Sequence, residues 1–419
     1  IGAMPRAWKM NTIAQIFLQV KCKNTGLQEK NLLSLSYGKV KRKSIDTVEG
    51  LLPESFDGDN IIEKDDIVLR LTDLQNDHTS LRVGLAEERG IITSAYLTIR
   101  NRSNFCPKYL YYYLHSFDIA KGFYGMGAGV RQGLNWDGVK WLKILAPSVP
   151  EQERIAAFLD AECAEIDAVL EKTRASIEEY KKLKQAVITQ AVTKGIRGDR
   201  PMKDSGIEWV GEIANEFAVY KFKYLLKTPM QYGANEAGIT FDKTLPRYIR
   251  ITDITSDGRL KQDNRLCIED TVAKPYILQD GDLLFARSGG TVGKSFLYKQ
   301  SYGNAAFAGY LIRAVVNRTI AVPEYVYYYT NSSIYDTWKN SIFIQSTIQN
   351  IGADRYSNMP IIVPNNIEEQ RSIVEYLNER CVGIDALIRK KQQYLTEIEN
   401  YKKSLIYEYV TGKKEVHPL

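Results

Sequence analysis

A long segment of this chain occurs twice. Residues 151–193 and 369–411 align without a gap at a constant offset of 218. Chance would not keep unrelated segments in register over such a length, so the sequence predicts a tandem duplication. Matched pairs are Gln152 with Gln370, Ile155 with Ile373, Leu159 with Leu377, Cys163 with Cys381, and Asp167 with Asp385.

The residues that precede each copy also match, at offsets that drift. Residues 66–69 correspond to 282–285, and the Pro-x-Tyr motif at 107–109 corresponds to 323–325, both at an offset of 216. Trp8 corresponds to Phe217 at an offset of 209, so the second copy holds extra residues within 225–280. Because the first residues already match the motif at 210–211, we expect that the chain begins slightly late or carries tag residues.

The duplicated segment predicts a long helix with a heptad seam. Residues 151–193 contain no Pro or Gly, and apolar residues recur at alternating spacings of three and four. Such a stripe needs a partner helix, and the other copy supplies one of equal length. Forty helical residues would form a rod of roughly 60 Å. The predicted seam residues are Leu159, Cys163, Ile166, Leu170, Ile177, Leu377, Cys381, Ile384, Ile388 and Leu395.

Polar residues interrupt this seam at matching places. Thr173 corresponds to Lys391, and Lys184 corresponds to Lys402. Interior polar residues can fix the register and the partner of a coiled coil. Lysines can equally snorkel from a loosened end, and both interpretations stay open. The seam alone also leaves open whether the helices run parallel or antiparallel.

Before each helix lies a predicted domain of the α/β (α+β) class with mixed β-structure. Short β-rich runs alternate with Gly, Asp and Asn, and a Pro-led, Tyr-rich short helix follows in each copy, at 107–117 and 323–332. The predicted strands lie within 66–71, 91–100, 248–254, 281–286 and 309–316.

Residues 288–295 read Ser-Gly-Gly-Thr-Val-Gly-Lys-Ser and resemble a phosphate-binding loop only in part. A P-loop needs Gly at the first position and a helix after the last. Here Ser288 comes first and the β-like run 296–298 follows, so the sequence favours a Gly-rich hairpin over nucleotide binding.

Composition excludes several classes of function. The five Cys are far apart, without a C-x-x-C pair, and three His leave little for a metal site, so we expect no metal and a reducing, cytoplasmic location. No apolar run is long enough for a membrane span. The sequence contains neither a Pro-Pro dipeptide, which an amino-methyltransferase loop needs, nor G-x-S-x-G. We therefore expect no catalytic residue. The net charge of +6 permits nucleic-acid binding without demanding it.

Three motifs together resemble the specificity subunits of type I restriction–modification systems. Residues 202–213, Met-Lys-Asp-Ser-Gly-Ile-Glu-Trp-Val-Gly-Glu-Ile, resemble the opening of a target-recognition domain in that family. The stretches 147–155 and 364–373, each leading from Pro through Glu-Gln to Ile, are similar to the start of its conserved helices, and Gly-Asp-Leu-Leu at 281–284 is similar too. The first copy departs from the pattern by lacking the Gly-rich hairpin, and Ala214 replaces the usual proline that Pro5 retains.

The resemblance implies two target-recognition domains, each followed by a long helix, with the helices paired as an antiparallel coiled coil of pseudo-two-fold symmetry. It implies a bipartite double-stranded DNA target, one half-site per domain, with the helices setting the spacer. Two methyltransferase subunits would dock on the helices, a restriction and translocation subunit would join in some complexes, and S-adenosylmethionine, ATP and Mg²⁺ would sit on those partners. The expected boundaries are 1–146, 147–195, 196–363 with a linker at 196–205, 364–413, and a tail at 414–419.

Side chains for DNA contact follow from general recognition chemistry. Lys and Arg bind phosphates, while Arg and Gln make bidentate contacts to guanine and adenine. Two readers on a rigid rod should engage half-sites roughly 34–36 Å apart. Each candidate can also be a solvated surface residue. The candidates are Lys41, Arg42, Lys43, Arg70, Arg82, Arg131, Gln132, Arg247, Arg250, Arg259, Arg287, Lys294, Gln345, Gln349 and Arg355.

Three other functions remain as alternatives. The chain can be the specificity module of an orphan or fused-type DNA methyltransferase without a nuclease partner. A self-contained modification or cleavage enzyme would need further residues that bear methyltransferase motifs. A coiled-coil adaptor without a DNA role would show no salt-dependent DNA affinity.

Overall fold

A computed structural model describes residues 5–26, 28–43, 56–77, 79–127, 133–255, 258–344 and 350–416. The chain divides into two compact units. The first unit contains residues 1–174 and 393–419, and the second contains residues 175–392. Arg131, Gln132, Gln345 and Gln349, four of the expected DNA contacts, lie outside the described residues.

The first unit is built from short strands around a Tyr-rich helix. Its main sheet has the strand order β2-β9-β6-β7, and β1 pairs antiparallel with β10, the strand that leads into the long helix. The strands are β1 (Lys9–Thr12), β2 (Phe17–Gln19), β3 (Leu33–Ser36), β4 (Lys39–Arg42), β5 (Asn60–Ile62), β6 (Ile67–Leu69), β7 (Val83–Leu85), β8 (Gly90–Ile92), β9 (Leu97–Asn101) and β10 (Lys143–Ala146). The helices are α1 (Ile13–Ile16), α2 (Pro107–Ile119), α3 (Trp136–Val139) and α4 (Val149–Lys194), of which residues 149–174 belong to this unit.

The second unit repeats this plan with an additional sheet. The order β14-β21-β18-β19 corresponds to the main sheet of the first unit, and the additional sheet has the order β15-β17-β16-β20, in which β15, β16 and β17 come from the extra residues. Its strands are β11 (Met202–Asp204), β12 (Glu212–Ala214), β13 (Phe217–Lys221), β14 (Gln231–Tyr232), β15 (Ile239–Thr240), β16 (Arg247–Ile249), β17 (Leu266–Cys267), β18 (Leu283–Ala286), β19 (Ser295–Leu297), β20 (Ala305–Phe307), β21 (Leu311–Ala314) and β22 (Pro360–Pro364). Its helices are α5 (Asp270–Ala273), α6 (Pro323–Tyr329), α7 (Ser333–Ile344), α8 (Ala353–Ser357) and α9 (Ile367–Val410), with 3-10 turns at 222–225, 251–253, 274–276, 289–291 and 300–302.

Each unit contains a segment of both long helices, and in each the segments run antiparallel. In the first unit, Phe158 packs on Tyr409 and Arg174 pairs with Glu399, so residue numbers rise on α4 as they fall on α9. In the second unit, residues 184 and 385 pair in the same sense. The antiparallel pairing of two long helices, each preceded by a mixed domain, confirms the expected fold class.

The predicted seam residues lie inside this pairing. All are buried except Leu395, which is half-buried against the core of the first unit. The polar positions find partners instead of reaching solvent. Lys402 pairs with Asp167 at 2.6 Å, and Lys184 pairs with Asp385 at 2.7 Å. The same ion pair therefore occurs once in each unit, at positions that correspond in the repeat.

The Glu-Gln motif locks the start of each long helix to the Tyr-rich helix. Gln152 is fully buried, accepts a hydrogen bond from the backbone N–H of Cys106 at 3.0 Å, and donates to the carbonyl of Pro147 at 2.9 Å. Gln370 makes the equivalent contacts with Val322 and Pro364. Cys106 and Val322 are the N-cap residues of α2 and α6, so this amide also satisfies a free helix-end donor.

The Gly-Asp motif has an equally structural role. Asp282 is almost fully buried and pairs with Arg313 at 2.7 Å, and burial raises the pKa of its carboxyl above the ordinary value. In the first unit, Asp66 pairs with Arg100 at the same distance. Both carboxylates also accept a backbone N–H three residues earlier, from Glu63 and from Gln279. These pairs fix the turn that leads into β6 and β18.

Candidate nucleic-acid interface

One loop occupies the same place in both units, between β6 and β7 and between β18 and β19. The hydrogen bond from Arg70 N–H to the carbonyl of Arg82 corresponds to the one from Ala286 N–H to the carbonyl of Lys294, at 2.9 and 2.8 Å. Arg82 and Lys294 are therefore equivalent in register. In the second unit, β18 and β19 pair directly and residues 289–291 form a single 3-10 turn, so the Gly-rich segment is a hairpin and not a phosphate-binding loop.

In the first unit, Arg82 is an interior residue. Its guanidinium donates to the carbonyl oxygens of Arg70 and Thr72 at 3.0 and 2.8 Å, and it is fully buried. It also donates to the Tyr124 hydroxyl at 3.0 Å. The guanidinium donors of Arg82 bind acceptors inside the unit, so they are not available to a base or a phosphate. We therefore do not propose Arg82 as a DNA contact.

The same loop presents residues that the sequence did not single out. Gln75 and Asn76 are exposed at its tip, and Asn76 is oriented by a hydrogen bond to Asp73 at 2.8 Å. Hydrogen bonds from Ser80 and Thr79 hold the pKa of the Asp77 carboxyl well below its usual range. Arg70 lies 3.6 Å from that carboxylate and is partly exposed. No motif marks Gln75 or Asn76 in the sequence, and only the folded loop shows that both are exposed.

The hairpin of β3 and β4 forms a basic edge of the first unit. Lys41 and Arg42 are exposed, and Lys43 is half-exposed. Arg42 forms an ion pair with Glu88, which partly neutralises it. At the turn, Tyr37 has a left-handed backbone with φ +50° and a side chain that is 90% exposed.

In the second unit, an arginine and two tyrosines surround the hairpin. The guanidinium of Arg287 lies over the ring of Tyr232, 5.0 Å from its centroid. Tyr310 is 63% exposed, and its carbonyl accepts the backbone N–H of Arg287 at 3.1 Å. Lys294 is exposed after the glycine turn, and Arg355 is exposed on α8. Aromatic rings interleaved with cations are typical of nucleic-acid-binding surfaces.

The remaining predicted arginines of this unit are Arg250 and Arg247, whose side chains bond within the fold, and Arg259, which is exposed. Arg250 forms a bidentate pair with Asp253, at 2.8 and 3.1 Å. Arg247 is 7% exposed and donates to the carbonyl of Lys261. The backbone N–H of Arg259 closes a turn with the Thr255 hydroxyl at 2.9 Å.

Within the described ranges, no cluster of three or more His, Cys, Asp or Glu is arranged to hold a metal ion. Among the described helices, none has the length and apolar character that a membrane span needs.

Comparison with known proteins gives a match that falls largely within the second repeat. A family model described as the type I restriction modification DNA specificity domain matches residues 247–399. The type I restriction enzyme EcoKI specificity subunit of Escherichia coli strain K12 is 24% identical over 279 residues, which cover 65% of this chain and 58% of that protein. The MjaVIII specificity subunit of Methanocaldococcus jannaschii is 24% identical over 283 residues, which cover 66% of this chain and 63% of that protein. The matches thus span about three fifths of these relatives.

A solved structure shows the same fold. Its chain comes from work on complex assembly and conformational transition of the type I R-M system. It superposes with a TM-score of 0.68 at 16% identity, over 99% of this chain and 100% of that chain.

Proposed function

We propose that this chain is the non-catalytic DNA specificity subunit of a type I complex, because residues 247–399 match the family model described as the type I restriction modification DNA specificity domain. The observation that carries the proposal is that this domain is one of two copies, each with the same main sheet and the same loop between corresponding strands. Two similar readers in one chain suit a bipartite target with one half-site for each.

A domain exchange tests the modular reading of DNA. Replacing residues 206–362 with the matching segment of a relative should change one half-site and leave the other unchanged. The measurement is selection of bound duplexes from a randomised DNA library by the full chain. A change in both half-sites would contradict the modular reading, and wild-type chain without sequence preference would contradict the proposed function.

The long helices would set the spacing of the half-sites. Supporting this, α4 is continuous over 46 residues and α9 over 44. Deleting the equivalent heptads 174–180 and 392–398 together shortens each helix by about 10 Å and keeps the seven-residue register. We expect the preferred spacer to shorten by about three base pairs at about 3.4 Å each, with unchanged half-sites. An unchanged spacer would refute this role.

Exposed apolar residues recur on one flank of the helices. Val169 and Leu387 correspond at the offset of 218, as do Leu183 and Tyr401, and all four directly precede a seam position. They are between 38% and 54% exposed. A single exposed Leu needs no explanation, but recurrence at the same positions of two repeats indicates a shared requirement. We call these four residues the apolar flank. Val169 and Tyr401 belong to the first unit, and Leu183 and Leu387 belong to the second.

We propose that the apolar flank binds two methyltransferase subunits, one per unit, which hold the S-adenosylmethionine and perform the chemistry. Each unit has one apolar pair at equivalent positions of the repeat, which suits two copies of one partner. Leu387→Asp should reduce the bound copies from two to one in native mass spectrometry with the methyltransferase of the same system. Val382→Asp is the matched control, because Val382 is 64% exposed on the same helix and its counterpart is Ala164. If Val382→Asp removed one methyltransferase copy and Leu387→Asp did not, the apolar flank would not be the binding surface.

A further inference from the structure

Arg287 is held in place by its backbone on both sides. Its N–H donates to the carbonyl of Tyr310 at 3.1 Å, and its own carbonyl accepts the N–H of Ile351 at 2.8 Å. It directly follows β18, whose residues Leu283–Ala286 pair on both sides with β19 and β21. The Cα of Arg287 is therefore fixed relative to the sheet, although the residue itself lies on the surface loop.

The side chain of Arg287 is also oriented. Its guanidinium lies over the ring of Tyr232, whose hydroxyl accepts the N–H of Ala353 at 3.0 Å and whose backbone pairs with Ile312 in the sheet. The ring is thus anchored at both ends. A cation over an aromatic face is attracted by the electrons of the ring, and this attraction favours one orientation of a long side chain.

The donors of Arg287 are uncommitted. Among the described residues, no acceptor bonds to its side chain and no carboxylate pairs with it, and its Nε is buried without a partner. This distinguishes it from Arg250 and Arg313, whose guanidinium groups bind Asp253 and Asp282. A buried Nε without a hydrogen-bond partner destabilises the folded domain, and a local ion pair such as that of Arg250 would avoid this loss.

The neighbouring surface is open to a duplex. In the part of the chain that the structure describes, no heavy atom beyond the chain neighbours lies within 4 Å of the position where a side chain of Gly289 or Gly290 would begin, and both glycines are exposed. Lys294, exposed at the other end of the same turn, supplies a mobile charge of the kind that a phosphate needs.

We propose, resting on the proposed function, that Arg287 is a specificity-determining residue that reads guanine in the major groove with its two terminal nitrogens, and that Tyr232 is its positioning residue. A phosphate contact requires only charge, which Lys294 provides. A bidentate contact to O6 and N7 of guanine requires a planar group held in one place, and the contact with the ring of Tyr232 restricts where the guanidinium lies.

The test compares full-length variants on a randomised duplex library at two salt concentrations. Arg287→Lys keeps the charge and loses the fork, so preference for guanine at one position of one half-site should fall roughly 5- to 150-fold. Tyr232→Leu should weaken preference at the same position, and Tyr232→Phe, which keeps the ring, should weaken it less. Lys294→Ala is the matched control, and it should lower affinity for all sequences alike and reduce the salt slope by about one.

The outcomes separate this inference from the proposed function. If wild-type chain selects a bipartite site and R287K selects the same site with unchanged guanine preference, the inference is overturned and the proposed function stands. Equal loss of affinity for every sequence in R287K would make Arg287 a phosphate contact and also overturn it. If wild-type chain shows no sequence preference, both fail. Thermal unfolding of each variant checks that the domain is intact.

Discussion

The hydroxyl oxygen of Tyr109 lies 3.2 Å from the carbonyl oxygen of Val410, the last residue of α9, and 2.8 Å from the carbonyl oxygen of Leu145. In the second unit, Tyr325 makes the same two contacts, with Val192 near the end of α4 and with Ile362. Each Pro-x-Tyr motif thus joins its own domain to the helix of the other repeat. This reciprocity explains why the motif occurs in both copies.

Removing one of these hydroxyls should lower the stability of the unit that contains it. Tyr109→Phe leaves buried carbonyls without a donor, so we expect the free energy of unfolding to fall by about 1–3 kcal/mol in urea titration. Amide exchange near Val410 should accelerate as well. Tyr328→Phe is the control, because its hydroxyl bonds Asn378 at an exposed site, and it should cost less than about 0.5 kcal/mol. Equal costs would show that the contact with Val410 has no special role.

The repeated ion pairs should couple measurably. Lys184 and Asp385 are both more than two-thirds buried, so a double-mutant cycle with Lys184→Met and Asp385→Asn should give a coupling of about 1 kcal/mol. Lys181 and Glu178, a pair 53% and 62% exposed on the same helix, should give less than about 0.5 kcal/mol. A coupling near zero at 184 and 385 would favour the snorkelling interpretation of the seam lysines.

Gln370 should tolerate neither truncation nor charge. Its amide bonds the N–H of Val322 and the carbonyls of Ile320 and Pro364, at 2.9 to 3.1 Å. Gln370→Ala should lower the free energy of unfolding by about 2–4 kcal/mol, because one buried and two partly buried backbone groups lose their partner. Gln370→Glu should lower the free energy of unfolding more at pH 8 than at pH 5. The ionised carboxylate has no donor for the carbonyls of Ile320 and Pro364, whereas the protonated form keeps one. Gln393→Ala, which loses only an exposed bond to Glu397, is the control and should be nearly neutral. A Q370E variant with the same stability at both pH values would contradict this account.

Periodicity allowed the helices and their seam to be predicted, because a heptad pattern states directly which residues face a partner. Leu159 and Leu377 are fully buried, as predicted. The partners of the polar seam residues were not predictable, since Asp167 and Asp385 lie outside the seam and reach Lys402 and Lys184 only once the helices run antiparallel. The repeat can be recognised in the sequence, but the relative direction of the two long helices depends on tertiary structure.

Individual DNA contacts were less predictable than the fold. Arg82 and Lys294 hold equivalent register positions, yet one is interior and the other exposed. The difference arises because backbone carbonyls in the loop of the first unit accept hydrogen bonds from the Arg82 guanidinium. No local sequence pattern predicts this arrangement. The contact of Arg287 with the ring of Tyr232 joins residues from β14 and the end of β18, so only the sheet brings them together. Arg131, Gln132, Gln345 and Gln349 stay predictions.

His115 should make the first unit sensitive to mild acid. Its ring is 8% exposed, stacks on Tyr111, and has an Nδ1 without a partner among the described residues. Burial, aided by the charge of Lys402 and opposed by Asp167, lowers its pKa from 6.5 to about 4. Below pH 6.5 the imidazole of His115 is therefore protonated in the unfolded chain but stays neutral in the folded chain until the pH approaches 4. This contribution to stability is complete above pH 6.5 and is lost progressively as the pH falls toward 4.

The expected loss from His115 is about 2 kcal/mol of unfolding free energy between pH 7 and pH 5. His115→Asn introduces the residue found at the equivalent position 331 and removes the titration. The difference between the stability curves of wild type and H115N removes the contributions that the two proteins share and leaves that of the imidazole. Urea titrations at half-unit pH steps should show wild type losing stability relative to H115N as the pH falls. Parallel curves across this range would mean that the folded unit accommodates the charged ring.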